Sequence, residues 1–234
     1  MKPLFAACAL VALAACSPKA EKTAAAPPEA AQPQPPKSDA PAGTYALDKA
    51  HGSIVFRVNH LGLSNYTARF TRFDAELKFD PADPAASSVT ATIDPASIQT
   101  DYPFKDVDFD AQLSGKDWLN AAQFPQMTFK STSVTMTGPA TADVTGDFSL
   151  HGVTRPVTLK ATFNGGYAGN GMDPAGSRIG FSADGVLNRS EFGMGYGVPP
   201  KGSTFGVGDP VSFHIEAEFT RPIPKAAGDS NSKD

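Results

Sequence analysis

Val211-Ser212-Phe213-His214-Ile215-Glu216-Ala217-Glu218-Phe219 alternates apolar and polar residues without a break. Successive side chains of a β-strand point to opposite faces, so this stretch is a strand with one apolar and one charged face. The same period returns upstream. Ile54, Phe56 and Val58 oppose Val55, Arg57 and Asn59; Phe73, Ala75, Leu77 and Phe79 oppose Asp74, Glu76, Lys78 and Asp80. Val89, Ala91 and Ile93 face away from Thr90, Thr92 and Asp94, and further runs centre on Phe129, Val134, Phe148, Leu159 and Phe181. Turn dipeptides such as Asp80-Pro81, Gly138-Pro139, Gly165-Gly166 and Asp173-Pro174 separate the runs. Only Asp106 to Gln123 reads as helical.

At least eight strands with at most one or two short helices predict an all-β fold, a barrel or a sandwich. Parallel strands need crossover helices that the pattern lacks, so the sheet is expected to be antiparallel. A closed barrel of about eight strands would turn the apolar face inward, around a lumen wide enough for side chains or one slender ligand. Phenylalanine dominates that face: the chain has 16 Phe against one Trp in 234 residues. The pattern alone leaves open whether the lumen is a filled core or an occupied cavity.

The N-terminus reads differently. Lys2 precedes a short apolar run that closes with Leu13-Ala14-Ala15-Cys16. The run falls short of the roughly 20 apolar residues that cross a bilayer, so residues 1–15 are expected to be a signal peptide. Leu-Ala-Ala-Cys resembles the bacterial lipobox, which makes Cys16 the expected lipidation site, and Ser17 after it implies the outer membrane. Residues 16–43 are expected to be a tether: of the 27 residues Ser17 to Gly43, 15 are Ala or Pro and none is Val, Ile, Leu, Met or aromatic. Residues 44–221 are the expected barrel domain, and 222–234 a polar tail. Cys8 and Cys16 are the only cysteines, which excludes disulfides, thiolate metal sites and a cysteine nucleophile from the barrel. A net charge of −4 favours no nucleic-acid partner.

Candidate chemistry is sparse. Asp106, Asp108 and Asp110 have the spacing that opens a calcium loop, but Ala111 stands where such loops need Gly and Asp117 where they end in Glu. A turn with one Asp capping a helix fits better. His51, His60, His151 and His214 share no ligand-like spacing, so no metal is expected; His60 continues an apolar face and is expected to point into the lumen. Gly193, Gly195 and Gly197 precede Pro199-Pro200 and no helix, so a loop is expected there and not a phosphate cradle. No nucleophile motif occurs, and the chain is not expected to be an enzyme. Arg189 at a barrel mouth would either meet a polar head group or fix a loop by an ion pair, the second being commoner.

Several stretches together resemble the YceI-like polyisoprenoid-binding family of bacterial envelope proteins. These are Tyr45-x-Leu47-Asp48-x-x-His51, Ile54-x-Phe56-x-Val58-x-His60-Leu61-Gly62-Leu63-Ser64 and Phe70-x-x-Phe73. Ala96-Ser97-Ile98-x-Thr100, Asp110-x-x-Leu113, Trp118-Leu119 and Phe124-Pro125-x-Met127-x-Phe129-x-Ser131 follow. Gly146-Asp147-Phe148-x-Leu150-x-Gly152-Val153-Thr154-Arg155-Pro156-Val157, Asn188-Arg189-Ser190-Glu191-Phe192-Gly193 and Gly208-Asp209-x-Val211 complete the set. Gln112 stands where the family often has His, and Ala68 and Ala75 where it often has Gly.

The resemblance implies a lipocalin-like antiparallel barrel whose lumen holds an isoprenoid lipid, a polyprenyl chain or quinone tail, in the bacterial cell envelope. Phe56, Val58, His60, Phe79, Phe129, Phe148, Leu150, Phe181, Phe213 and Ile215 are then the expected cavity lining, with Asp110 and Arg189 as head-group contacts. The expected partners are that lipid and, through the N-terminal anchor, a membrane; no cofactor is implied beyond the bound lipid. Two rivals stand beside it: a structural or stress-related envelope lipoprotein with a filled core, and an enzyme acting on a lipid head group through His60, Asp110 and Arg189.

Overall fold

The computed structural model describes residues 36–169 and 172–222. The expected signal peptide, Cys16, the tether up to residue 35 and the tail from residue 223 lie outside the described residues. The elements are β1 (Gly43–His60), β2 (Ser64–Phe70), β3 (Phe73–Phe79), β4 (Ser88–Ile93), β5 (Ile98–Gln99), α1 (Phe109–Ser114), β6 (Met127–Met136), β7 (Thr141–Leu150), β8 (Val153–Tyr167), β9 (Ser177–Asn188) and β10 (Val207–Arg221).

These strands form one closed antiparallel ring. Neighbours run β10-β9-β8-β7-β6-β4-β3-β1, and β1 pairs back onto β10. β2 and β3 act as one bent stave: β1 pairs with β3 along Gly43 to Ala46 and with β2 along Ile54 to His60. β4 and β5 form another, pairing with β3 and β2 respectively. The result is an eight-staved barrel, one of the two architectures that the alternation allows, and lipocalin-like as the resemblance implies. Each bend lies where a regular ladder breaks; in β1 the register against β10 shifts between Leu47 and Gly52.

Local sequence explains the turns. β7 and β8 are joined by His151-Gly152, both at positive φ (52° and 79°), the backbone that a two-residue hairpin requires. A Cβ on Gly152 would also lie 2.5 Å from the Phe124 ring, so its glycine is needed twice over. Inside the ring, Gly185 lies opposite Phe213 on β10, whose ring fills the space that a side chain at 185 would take.

The helix is shorter than the expected Asp106 to Gln123. Asp108 caps its first turn by accepting from the Ala111 N–H at 2.9 Å, and Gly115 ends it in extended backbone. Asn120 then takes positive φ, and the chain lays Leu119 and Ala121, both buried, onto the barrel. Packing across the barrel end overrides helix propensity there.

The last residues of the expected tether also differ from their composition. Ser38 bridges to Gly166, Asp39 accepts from the Ala168 N–H, Ala40 is buried, and the Tyr45 hydroxyl donates to the Pro41 carbonyl. Residues 38–42 are therefore a strap seated on β1, β8 and the β8–β9 connection. Nearby, Arg178 on β9 donates to Asp48, Asp173 and Glu218, tying the β1 bend to β9 and β10. Hydrogen bonds from His51 and then Arg178 hold the Asp48 carboxyl down at about 2, and those from Tyr167 and then Arg178 do the same for Asp173.

The two barrel ends are built differently. The β1–β2 turn, residues 100–126 with α1, the β7–β8 hairpin and the 189–206 loop lie at one end, the α1 end. The strap and the β3–β4, β6–β7 and β8–β9 connections lie at the other, the strap end.

Candidate functional site

The inward faces surround a lumen that is not filled. Phe56, Phe148, Phe181 and Phe213 point inward yet are only half-buried, whereas Tyr45, Ile179 and Phe192, packed on every side, expose 0 or 1% of their surface. Inward residues of a filled core would resemble the second set. The void is about 570 Å³, within the roughly 300–1,000 Å³ of small-molecule sites. At ~30 Å³ per water-sized group it has room for roughly twenty chain carbons.

Alanines make part of the space. Ala161 on β8 and Ala183 on β9 face each other and both line the cavity, as do Ala91, Ala142 and Ala217. The bulk of the wall is phenylalanine. Phe56 stacks on Phe70 at 5.3 Å, Phe79 on Phe163 at 6.0 Å, and Phe181 meets Phe163 at 5.3 Å.

Of the expected lining residues, Phe56, Val58, Phe79, Phe129, Phe148, Leu150, Phe181, Phe213 and Ile215 surround this void. His60 does not. It is the last residue of β1, past a register shift against β10, and it is exposed outside the lumen. Its ladder with β2 stays regular through Ser64, so it keeps the face that alternation gives it, but the strand ends there, beyond the apolar lining.

Asp110 is not a mouth carboxylate either. Its Oδ1 accepts from both the backbone N–H and the hydroxyl of Thr100, fastening α1 to the end of β5. Arg189 does reach the lining, but it is 4% exposed and its guanidinium donates to the carbonyls of Met194, Tyr196, Val207 and Gly208 at 2.7–2.9 Å. It also lies over the Trp118 ring, 5.5 Å from the centroid. Burial lowers its pKa, with Asp209 opposing. It fixes the 189–206 loop, as one expectation had it, but through carbonyls and not through an ion pair; Asp209 instead accepts from Ser190.

Several ionisable groups elsewhere are held by one another. Asp48, His51 and Glu218 cluster within 4.8 Å, but the Arg178 guanidinium occupies the cluster and already supplies its positive charge. The two ring nitrogens of His214 on the outer face lie within hydrogen-bond distance of the Asp184 and Glu216 carboxylates, which accept from the protonated ring and raise its pKa. Asp108 is engaged as the helix cap. Among the described residues every buried side-chain nitrogen or oxygen has a hydrogen-bond partner.

Sequence reasoning left out several lining residues: Tyr66, Phe70, Trp118, Leu119 and Phe163 among them. Phe163 and Phe70 continue alternating runs and were within reach of the pattern. Trp118 and Leu119 come from an irregular segment, where no period exists to read. At the α1 end the wall includes buried Leu119, Met194 and Arg189 beside half-buried Tyr66 and Trp118; at the strap end exposed Pro81, Pro84, Met136 and Pro139 stand at its rim.

A closed eight-staved barrel around an apolar lumen defines a lipocalin-like architecture. Residues 45–219 match the model of the YceI-like domain, and the chain belongs to that family. A UPF0312 protein of Pseudomonas savastanoi pv. phaseolicola is 41% identical over 156 residues, 65% of this chain and 77% of that one. Among solved structures, BcnA of Burkholderia cenocepacia matches with a TM-score of 0.60 and 28% identity, covering 74% of this chain and 98% of that one. The YCEI protein of Campylobacter jejuni matches with a TM-score of 0.59 and 30% identity, covering 76% and 98%. A polyisoprenoid binding domain from Saccharophagus degradans shares the fold, with a TM-score of 0.53 at 13% identity, over 76% of this chain and 98% of that one.

Proposed function

We propose that this chain binds a long isoprenoid lipid, a polyprenyl chain or quinone tail, in its barrel lumen and serves as a carrier or reservoir in the bacterial cell envelope. The observation that carries the reading is the void of about 570 Å³ walled by Phe and Ala side chains that are only half-buried. An apolar wall facing a void is what a hydrocarbon chain would cover. The incompletely buried rings weigh against the filled-core rival, and the engagement of Asp110 and Arg189 in backbone contacts weighs against head-group catalysis. In this reading Cys16 is lipidated, residues 17–37 tether the barrel to the outer membrane facing the periplasm, and the barrel is not an enzyme.

Each buried CH₂ is worth about 0.8 kcal/mol against water, but a bilayer offers nearly the same gain. Net affinity is therefore set against the membrane, which permits both loading and release. The test is mass spectrometry of an organic extract of the full chain purified from bacterial cells without delipidation. A stoichiometric isoprenoid is expected. Recovery of phospholipid alone, or of nothing, would overturn the reading.

A further inference from the structure

Six large apolar side chains stand exposed on the connections at the α1 end: Leu63, Tyr102, Phe104, Val107, Tyr196 and Phe205. Leu63, Phe104 and Phe205 are 83, 62 and 80% exposed. Leu63 and Phe205 occupy neighbouring tips: the Leu61 N–H donates to the Gly206 carbonyl at 2.8 Å, and Gly62 abuts Thr204. Isolated exposed apolar residues need no explanation, but a group at one end of a molecule does.

This group is continuous with the lumen. Phe104 packs on Tyr102 (5.5 Å between centroids), Tyr102 on Phe109 (4.9 Å) and Phe109 on Tyr66 (5.8 Å), and Tyr66 lines the cavity. A second row runs from exposed Tyr196 to Trp118 at 5.2 Å, and Trp118 lines the cavity too. Rows of rings thus lead from solvent to the void through the two irregular connections, 100–126 and 189–206.

The tips sit on separate connections, and a bilayer accommodates inserted side chains without needing a matching surface. Aromatic rings favour the membrane–water boundary, and a lysine beside an inserted ring keeps its ammonium among the phosphates. Lys105 follows Phe104, and Lys201 shares the loop of Phe205. Asp101 and Asp106 offset those charges, so the surface suits a bilayer without regard to its net charge.

We infer that the α1 end docks on a lipid bilayer with Leu63, Phe104 and Phe205 inserted, and that the rings behind them form the path between bilayer and lumen. The path rests on the isoprenoid reading; the docking does not. The described chain begins at the opposite end. A Pro-rich stretch of some 20 residues reaches about 60 Å at ~3 Å per residue, more than the ~40 Å height of 15-residue staves tilted 35–45°. An anchor at Cys16 and docked tips therefore fit the same membrane.

The test uses the full chain with Cys16→Ser, so that no acyl anchor contributes. Trp118 is the single tryptophan, and vesicles of phosphatidylcholine carrying brominated acyl chains would quench it on docking. Sedimentation with plain phosphatidylcholine vesicles, with and without phosphatidylglycerol, measures partitioning. The parent is expected to bind both and to be quenched. Leu63→Ser/Phe104→Ser/Phe205→Ser is expected to lose at least about tenfold in partitioning, with an unchanged circular dichroism spectrum and unchanged loading of a prenyl alcohol from detergent micelles. A folded triple variant that partitions within about twofold of the parent, or a parent that binds no vesicles, overturns the proposal. So does a dimeric parent whose variant is monomeric but binds vesicles equally, since the tips would then serve self-association. A parent that docks yet takes up no prenyl alcohol upholds the docking and overturns the path.

Discussion

Ala183→Phe separates a hollow lumen from a packed one by the sign of its effect. Ala183 lies opposite Ala161, and both line the cavity. A benzene-sized ring occupies on the order of 150 Å³, about a quarter of a void of about 570 Å³. In a filled core such an insertion overpacks and costs about 1–3 kcal/mol. In the lumen described above the new ring covers exposed apolar wall and adds up to about 1.5–3 kcal/mol. At about 2–4 °C per kcal/mol for a domain of this size, the hollow lumen predicts a Tm that is unchanged or higher by up to about 10 °C. The same ring displaces some four or five chain carbons, worth about 3–4 kcal/mol of transfer from water. Differential scanning calorimetry of lipid-free protein measures the first effect, and mass spectrometry of extracts measures the second. A Tm lowered by more than about 4 °C in a native-like variant would refute the hollow lumen; a stable variant retaining a full complement of isoprenoid would refute its role as the binding space.

Phe148→Asp places a charge in the apolar wall beside Phe192 and Phe129; the variant is expected to fold with lower stability and to retain no isoprenoid on extraction. Arg189→Met strands four carbonyls that the guanidinium now satisfies, at about 1–3 kcal/mol for an unsatisfied buried group. A Tm lower by about 6 °C or more is expected, and Arg189→Lys should not restore it because an ammonium lacks the planar fork. Two pH effects of opposite sign are expected. Asp48 and Asp173 are lowered to about 2, so their contribution is complete above the ordinary carboxylate pKa and is lost as pH falls from about 4 through 2. His214 is raised by Asp184 and Glu216, so its contribution is present below its unfolded pKa and is lost as pH rises through the folded value, modestly because the side chain is exposed. Tm against pH should show the acid loss diminished in Arg178→Gln and the loss at higher pH removed in His214→Gln.

The strands were legible because their signal is local. In β3, β4, residues 54–58 of β1 and residues 211–219 of β10 every second residue is apolar, and the structure turns those residues to the lumen. His60 continues the alternation of β1 and keeps its ladder with β2, but it ends the strand outside the lining, where the register against β10, more than 140 residues away, shifts. Arg189 was recognised as a cation near the mouth, but its partners are carbonyls, which carry no side-chain identity to read. Arg178 was not singled out at all, since its partner Asp48 lies 130 residues away in sequence. Residues 38–42 have a tether's composition and become ordered by contact with β8. The exposed tips escaped notice because Leu63, Phe104 and Phe205 sit in aperiodic loops, where sequence alone does not separate a projecting side chain from a packed one.

The β1–β10 ladder has a consequence for how the chain reaches its native state. The other staves pair with sequence neighbours, whereas this seam joins residues such as Leu47 and Phe219. Loop-closure entropy makes such a pairing slow, so the seam is expected to form last. Until it does, two unpaired edges and a sheet lined with phenylalanine stand open to solvent, a combination prone to aggregation. Newly made chains would then depend, for that interval, on a holding chaperone or, in the proposed reading, on early capture of the lipid.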